Sequence, residues 1–193
     1  MPFDLLYSSI TQKIAITAEE FEYCKSLFQL KMLRRRQYLL QEGDVCKYQV
    51  FVEKGILRSF TVDEKGAEHI LQFATEGWWM ADLSSYITGE PSLFNMEALE
   101  DAELLLLSKP SWDALLSKIP SFEHYFRILI QNNLIATQKR LMQSLTETAE
   151  TKYNQFTQTY PDCVQRVPQH MIAAYLGVTR ETLSRLRKRK SVS

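Results

Sequence analysis

Val167-Pro-Gln-His-Met-Ile-Ala-Ala-Tyr-Leu-Gly-Val-Thr-Arg-Glu-Thr-Leu-Ser-Arg-Leu-Arg-Lys188 reads as a helix, a tight turn and a second helix. Pro168 suits a first helical turn, where its missing N–H costs nothing. Ile172, Ala173 and Leu176 fall on one inward face. Gly177 supplies the left-handed conformation that ends the first helix, and Val178 fills the turn. Thr179 is a good N-cap for the second helix. At about 100° per residue, Glu181, Ser184, Arg185 and Lys188 share one polar stripe roughly 100° wide, with Leu183 and Leu186 opposite. Two leucines anchoring such a ridge suit a major groove in width and chemistry. Arg donates to the guanine O6/N7 edge, and Glu accepts from cytosine N4. A helix that only attracted phosphate would have no use for Glu181. The same spacing also fits an ordinary αα-hairpin with a charged outer face, so spacing alone leaves both readings open.

Charge layout adds to the first reading. The 193 residues hold 23 Lys/Arg and 23 Asp/Glu, a net of zero. From Val178 to Ser193, however, six bases stand against Glu181 alone, a net of +5, and the rest of the chain carries −5. That end either meets a polyanion or is a solvated basic tail.

Upstream of this stretch, residues 121–150 contain neither Gly nor Pro and place Phe122, Phe126, Leu129, Leu134, Leu141 and Leu145 among their apolar positions. A single helix there would run roughly 45 Å at about 1.5 Å per residue, too far for one small core to cover. The same helix in a second copy is the expected partner, and packing wholly on its own sandwich is the alternative. Trp112, Leu115, Leu116 and Ile119 suit a short helix ending near Pro120.

Residues 33–110 alternate short apolar stretches with Gly-containing turns. The stretches are Tyr38–Leu40, Val50–Val52, Ile56–Phe60, His69–Phe73 and Leu104–Leu107; the turns are centred on Gly43, Gly55, Gly66, Gly77 and Gly89. Strands at about ten-residue spacing imply an antiparallel sandwich or small barrel. Residues 1–32 read as a helical lead-in, with Thr17 and Glu20 at capping-box spacing. The class is α+β. The expected divisions are 1–118 for lead-in and sandwich, 119–150 for the dimerisation helix, and 151–193 for the helix-turn-helix.

Several function classes drop out. Cys24, Cys46 and Cys163 are odd in number and widely spaced, which implies reduced thiols and excludes a four-cysteine cluster. His69, His124 and His170 show no metal-ligand spacing, and Ser84-Ser85 lacks a nucleophile elbow. Asp82 and Glu97 have no acid–base context. No enzyme, metal or cofactor signature emerges. The longest aliphatic run, Leu104–Leu107, is far below the ~20 residues that span a bilayer. The start of the chain lacks a secretory pattern. A cytoplasmic protein without a membrane partner is expected. Trp78-Trp79-Met80 reads as core before pocket. Arg34-Arg35-Arg36 could approach nucleic acid, but reads more safely as a solvated sheet edge.

The chain resembles the Crp/Fnr family of transcription regulators. Tyr48–Gly55, Asp63–Ile70 and Gly77–Leu83 resemble the family's cyclic-nucleotide-binding-type jelly roll, and Thr179–Arg185 resembles its recognition helix. The resemblance implies an N-terminal antiparallel jelly roll, a long dimerisation helix and a C-terminal helix-turn-helix. It implies base reading by Arg180, Glu181, Ser184 and Arg185, within a DNA interface of Gln169, Thr179, Arg180, Glu181, Ser184, Arg185 and Lys188. The implied partners are double-stranded DNA, a second copy, RNA polymerase and a small-molecule effector. Departures matter too. Where cyclic-AMP-binding members carry Gly-Glu and Arg-Ser pairs, this chain has Ala81-Asp82 and Ser92-Leu93, and no Lys or Arg lies between Lys65 and Lys109. A buried phosphate without a cation is costly, so cyclic-nucleotide binding is disfavoured. Asp82, Ser92 and Leu93 are the candidate ligand pocket. The sequence closes soon after the recognition helix, so the family's wing hairpin is expected to be absent or truncated. A receptor module, for a small molecule or a cyclic nucleotide, whose terminal helices touch protein is the rival reading.

Overall fold

The computed structural model describes residues 2–190, with side chains through Lys188. Two short helices, α1 (Asp4–Thr11) and α2 (Ala18–Ser26), lead in. The expected capping box starts α2: Thr17 Oγ1 accepts the Glu20 N–H at 3.2 Å, and the Glu20 carboxylate accepts the Thr17 N–H at 2.9 Å. The helical reading of residues 1–32 fails at Phe28, because Phe28–Leu33 is a strand, β1. Its six residues pair with the leucine-rich stretch opposite, from Phe28↔Leu107 to Leu33↔Ala102. A tertiary ladder overrides the local pattern there.

Seven strands follow, interrupted by one helix: β2 (Tyr38–Leu40), β3 (Tyr48–Lys54), β4 (Leu57–Val62), β5 (Glu68–Ala74), β6 (Trp79–Met80), helix α3 (Leu83–Thr88), β7 (Asn95–Ala98) and β8 (Ala102–Ser108). They form two antiparallel four-stranded sheets, β1-β8-β3-β6 and β2-β7-β4-β5, which is the strand order of a jelly roll. Val50, Val52, Leu57, Met96, Leu104 and Leu106 fill the space between the sheets. Gly55 turns β3 into β4 at φ +93°, and a Cβ there would lie 2.8 Å from the Asp101 carbonyl oxygen. Only glycine fits both the backbone and the space.

Ser108 caps α4 (Lys109–Lys118), and α5 (Ser121–Thr146) comes next. The uninterrupted helix expected over residues 121–150 breaks at Glu147, whose ψ is 154°. Thr148 Oγ1 accepts the Thr151 N–H at 3.3 Å and starts α6 (Ala149–Thr159) instead. A hydroxyl able to cap competes with continuing the helix. The 26 residues of α5 span about 39 Å. Its first turns are buried through Phe122, Tyr125 and Phe126, whereas Leu134, Leu141 and Leu145 are 55%, 60% and 75% exposed.

The chain ends in α7 (Cys163–Arg166), α8 (Gln169–Leu176) and α9 (Arg180–Lys190). These helices and α6 cover the face of β4 and β5 turned away from the roll's interior: Ile56, Phe60, Ile70 and Phe73 meet Phe156, Tyr160, Ile172 and Leu176 in one buried cluster. Arg166 fixes the seam by binding Glu76 and Glu100, and Arg140 donates to the Leu71 carbonyl. The expected loss of the wing falls after Lys190, outside the described residues. Cys24, Cys46 and Cys163 are free and buried. Burial pushes the Cys24 and Cys163 thiols up to about 12.

Candidate nucleic-acid interface

The turn between α8 and α9 is made by three residues. Gly177 takes φ +66° and ends α8. The Val178 N–H then closes onto the Ala173 carbonyl at 3.0 Å, and Thr179 Oγ1 accepts the Thr182 N–H at 3.2 Å. Pro168 sits one position earlier than a first-turn residue, as the N-cap of α8 with ψ 138°. Ile172, Ala173 and Leu176 are buried beneath it, as their spacing requires.

On α9, Leu183 is wholly buried and Leu186 packs against the same cluster. Opposite them, Glu181, Arg185 and Lys188 are exposed and Ser184 is half-buried. Arg180 and Thr179 are exposed at the start of the helix, and Gln169 is exposed at the start of α8. All seven residues of the expected interface thus lie on α8, α9 or the turn joining them. Arg185 reaches back to Thr182 Oγ1 at 3.5 Å. Glu181 also serves its own helix. Its backbone N–H, the Thr179 hydroxyl and the nearby Arg180 and Arg185 hold its carboxyl below the usual carboxylate range, as suits an acid in a first helical turn. His170 is exposed beside this ridge, and partial burial with the neighbouring Arg180 charge lowers its affinity for a proton.

Comparison with known proteins supports the family resemblance. Residues 30–118 match the family described as the cyclic nucleotide-binding domain. The regulatory protein HlyX of Actinobacillus pleuropneumoniae is 28% identical over 173 residues, covering 81% of this chain and 69% of that protein. The cyclic AMP receptor protein of Thermus thermophilus is 25% identical over 175 residues, covering 89% and 81%. This chain is similar to regulators of the Crp/Fnr family. The fold agrees: the structure of FixK2 from Bradyrhizobium japonicum superposes with a TM-score of 0.75 at 17% identity, over 86% of this chain and 85% of that one. These Crp/Fnr relatives are regulators rather than enzymes, and no described helix is long and apolar enough to cross a membrane.

The jelly roll sets the frame for the expected pocket residues. Asp82 and Ser92 do come together, but they satisfy each other. Asp82 Oδ1 accepts the Ser85 N–H at 3.1 Å and caps α3, while its Oδ2 accepts the Ser92 hydroxyl at 2.8 Å. Both side chains are buried, and Leu93 is 80% exposed, so the three expected pocket residues do not line one cavity. The concavity beside them is a cleft of about 480 Å³ between the β6–α3 segment and α5. Its walls are Trp78, Trp79, Met80, Leu83, Phe126, Leu129 and Ile130, with the amides of Gln49, Gln72, Asn132 and Asn133. No Lys, Arg, Asp or Glu among the described residues lines it. Trp79 therefore serves both core and cleft, and its indole N–H donates to the Tyr125 hydroxyl at 3.0 Å. The Asn pair was not legible in the sequence, since nothing there says which face of α5 meets the roll. Gln49 and Gln72 carried a signal, as amides each flanked on both sides by apolar or aromatic residues.

Proposed function

We propose that this protein is a homodimeric, sequence-specific DNA-binding regulator of the Crp/Fnr type. The observation that carries it is the exposed ridge of Glu181, Arg185 and Lys188 on α9, held outward by buried Leu183 behind it. A helix so anchored presents a bidentate donor and an acceptor to base edges. The uncovered leucines of α5 support pairing with a second copy, and paired reading helices match two-fold half-sites about 34 Å apart. Arg180, Glu181, Ser184 and Arg185 would read bases, while Gln169, Thr179 and Lys188 would touch the backbone. Selection of bound duplexes from a random pool tests this reading, with an enriched motif expected.

The sensor cleft supports a regulator that does not respond to cyclic nucleotides. A cyclic phosphate left without a cation in the roll would lose its water for nothing in return. An uncharged effector suits rings and amides better. Calorimetry with cyclic AMP and cyclic GMP checks this, since saturable micromolar heat from either would refute it.

A further inference from the structure

Trp78 also borders a second cleft, of about 610 Å³, between the C-terminal half of α5 and helices α6 and α8. Lys139, Arg140 and Lys152 line it, and no Asp or Glu among the described residues does. No carboxylate forms a salt bridge with any of the three among the described residues. The acid close by, Glu147, accepts from Gln155 at 3.5 Å and does not line the cleft. Walls carrying charge of one sign concentrate ions of the other. Aromatic rings line the same space. Trp78 and Tyr160 lie 5.3 Å apart between ring centres, inclined by 34°, and Tyr175 stands edge-on to Tyr160 at 5.7 Å. Arg140 lies over the Tyr175 ring, 4.8 Å from its centre, and donates to the Leu71 carbonyl. Its guanidinium is thereby held in place with further N–H donors to offer. Lys152 donates to the Ser144 carbonyl at 3.0 Å and likewise keeps donors in hand. Gln155, also in the lining, has its Oε1 buried with no donor, an acceptor that a partner could satisfy. Ala136, Arg140 and Ser144 recur at four-residue spacing, roughly 120° around α5 from Leu134, Leu141 and Leu145. Pairing of two copies through those leucines therefore does not consume Arg140.

We infer that this second cleft binds a small aromatic carboxylic acid. The ring lies against Trp78 and Tyr160, and the carboxylate meets the Arg140 fork, a pairing that favours two parallel N–H bonds. Lys139 and Lys152 add to the attraction, and a ring N–H or O–H satisfies Gln155. A nucleotide suits the cleft less well, because no carboxylate lines it to hold a ribose hydroxyl. The inference does not depend on α9 reading DNA.

The test is calorimetric titration of the full chain with indole-3-acetate and with indole-3-acetamide, which keeps the ring and its N–H but carries no charge. Saturable binding of the acid is expected, about ten-fold or more tighter than the amide, and weakening as salt is added. R140Q should remove most of that preference for the acid. K139Q/K152Q, which leaves the contacts of Arg140 in place, should reduce it by about three-fold or more. N133L alters the cleft between the β6–α3 segment and α5, and should leave the affinity for the acid unchanged. Thermal midpoints establish that each variant folds. The absence of saturable heat from the acid would overturn the inference, as would equal affinity for acid and amide. So would binding of the acid that N133L abolishes while R140Q and K139Q/K152Q spare it.

Discussion

Arg185 and Lys188 lie one turn apart on α9 and are both exposed, yet truncating them should have different consequences. Arg185→Ala should cost about 1–3 kcal/mol at the preferred operator and relax specificity at one base pair. Lys188→Ala should weaken all sequences alike and flatten the salt slope by about one. Affinities on the operator and its single-base variants, each titrated with salt, check both. Two glycines differ in a similar way. Gly177 has open space where a Cβ would go, so Gly177→Ala should cost only the left-handed backbone penalty of about 1–2 kcal/mol. Gly55→Ala should cost more, because its Cβ would strike the Asp101 carbonyl and Ala102. Urea unfolding of the two variants compares them. Gly177, Thr179 and Leu183 could be placed from the sequence because each acts within one turn of chain. The Asp82–Ser92 hydrogen bond could not, since it spans ten residues and depends on α3 folding back across the sheet.

Among the elements, α5 carries the clearest expectation. Leu141→Glu with Leu145→Glu places charge on side chains that are already exposed, so the roll should fold unchanged while the dimer dissociates. Sedimentation should then show a single-chain mass, where the proposed dimer predicts twice that mass for the native protein. The seam between roll and C-terminal helices makes a second prediction, about pH. Hydrogen bonds from Arg58 hold the Glu68 carboxyl below its usual range. Burial pushes Glu76 up, but Arg166 outweighs it and leaves that carboxyl lowered as well. A carboxyl lowered on folding contributes stability above its unfolded value, about 4.3, and loses it as pH falls through the folded one. Thermal midpoints should therefore drop between about pH 5 and pH 3, with a shallower drop in Glu76→Gln. The leucines of α5 were legible because they recur at helical spacing. Its break at Glu147 was not, because Thr148 could continue a helix or cap one, and the choice is made by the later helices. The same holds for β1, whose residues became a strand only because Leu104–Leu107 needed a partner.

On the scale of the whole molecule, the β5–β6 turn joins the jelly roll to the C-terminal helices. Trp78 lines the sensor cleft and stacks on Tyr160 at 5.3 Å, while Glu76 in the same turn holds Arg166. An effector entering the cleft would act on the turn that clamps the C-terminal helices, which gives a two-state coupling a physical route. Domain order was readable from charge and periodicity, but this seam was not, since it joins residues ninety positions apart. The proposed function turns on what two copies of α9 do together. The most direct measurement is selection of duplexes from a random pool by the full chain at physiological salt, with sequencing of the bound fraction. An enriched inverted repeat with half-sites about one helical turn apart is the predicted result. Recovery of no preferred sequence, or of one that Arg185→Ala binds as tightly and as selectively as the native chain, would contradict it.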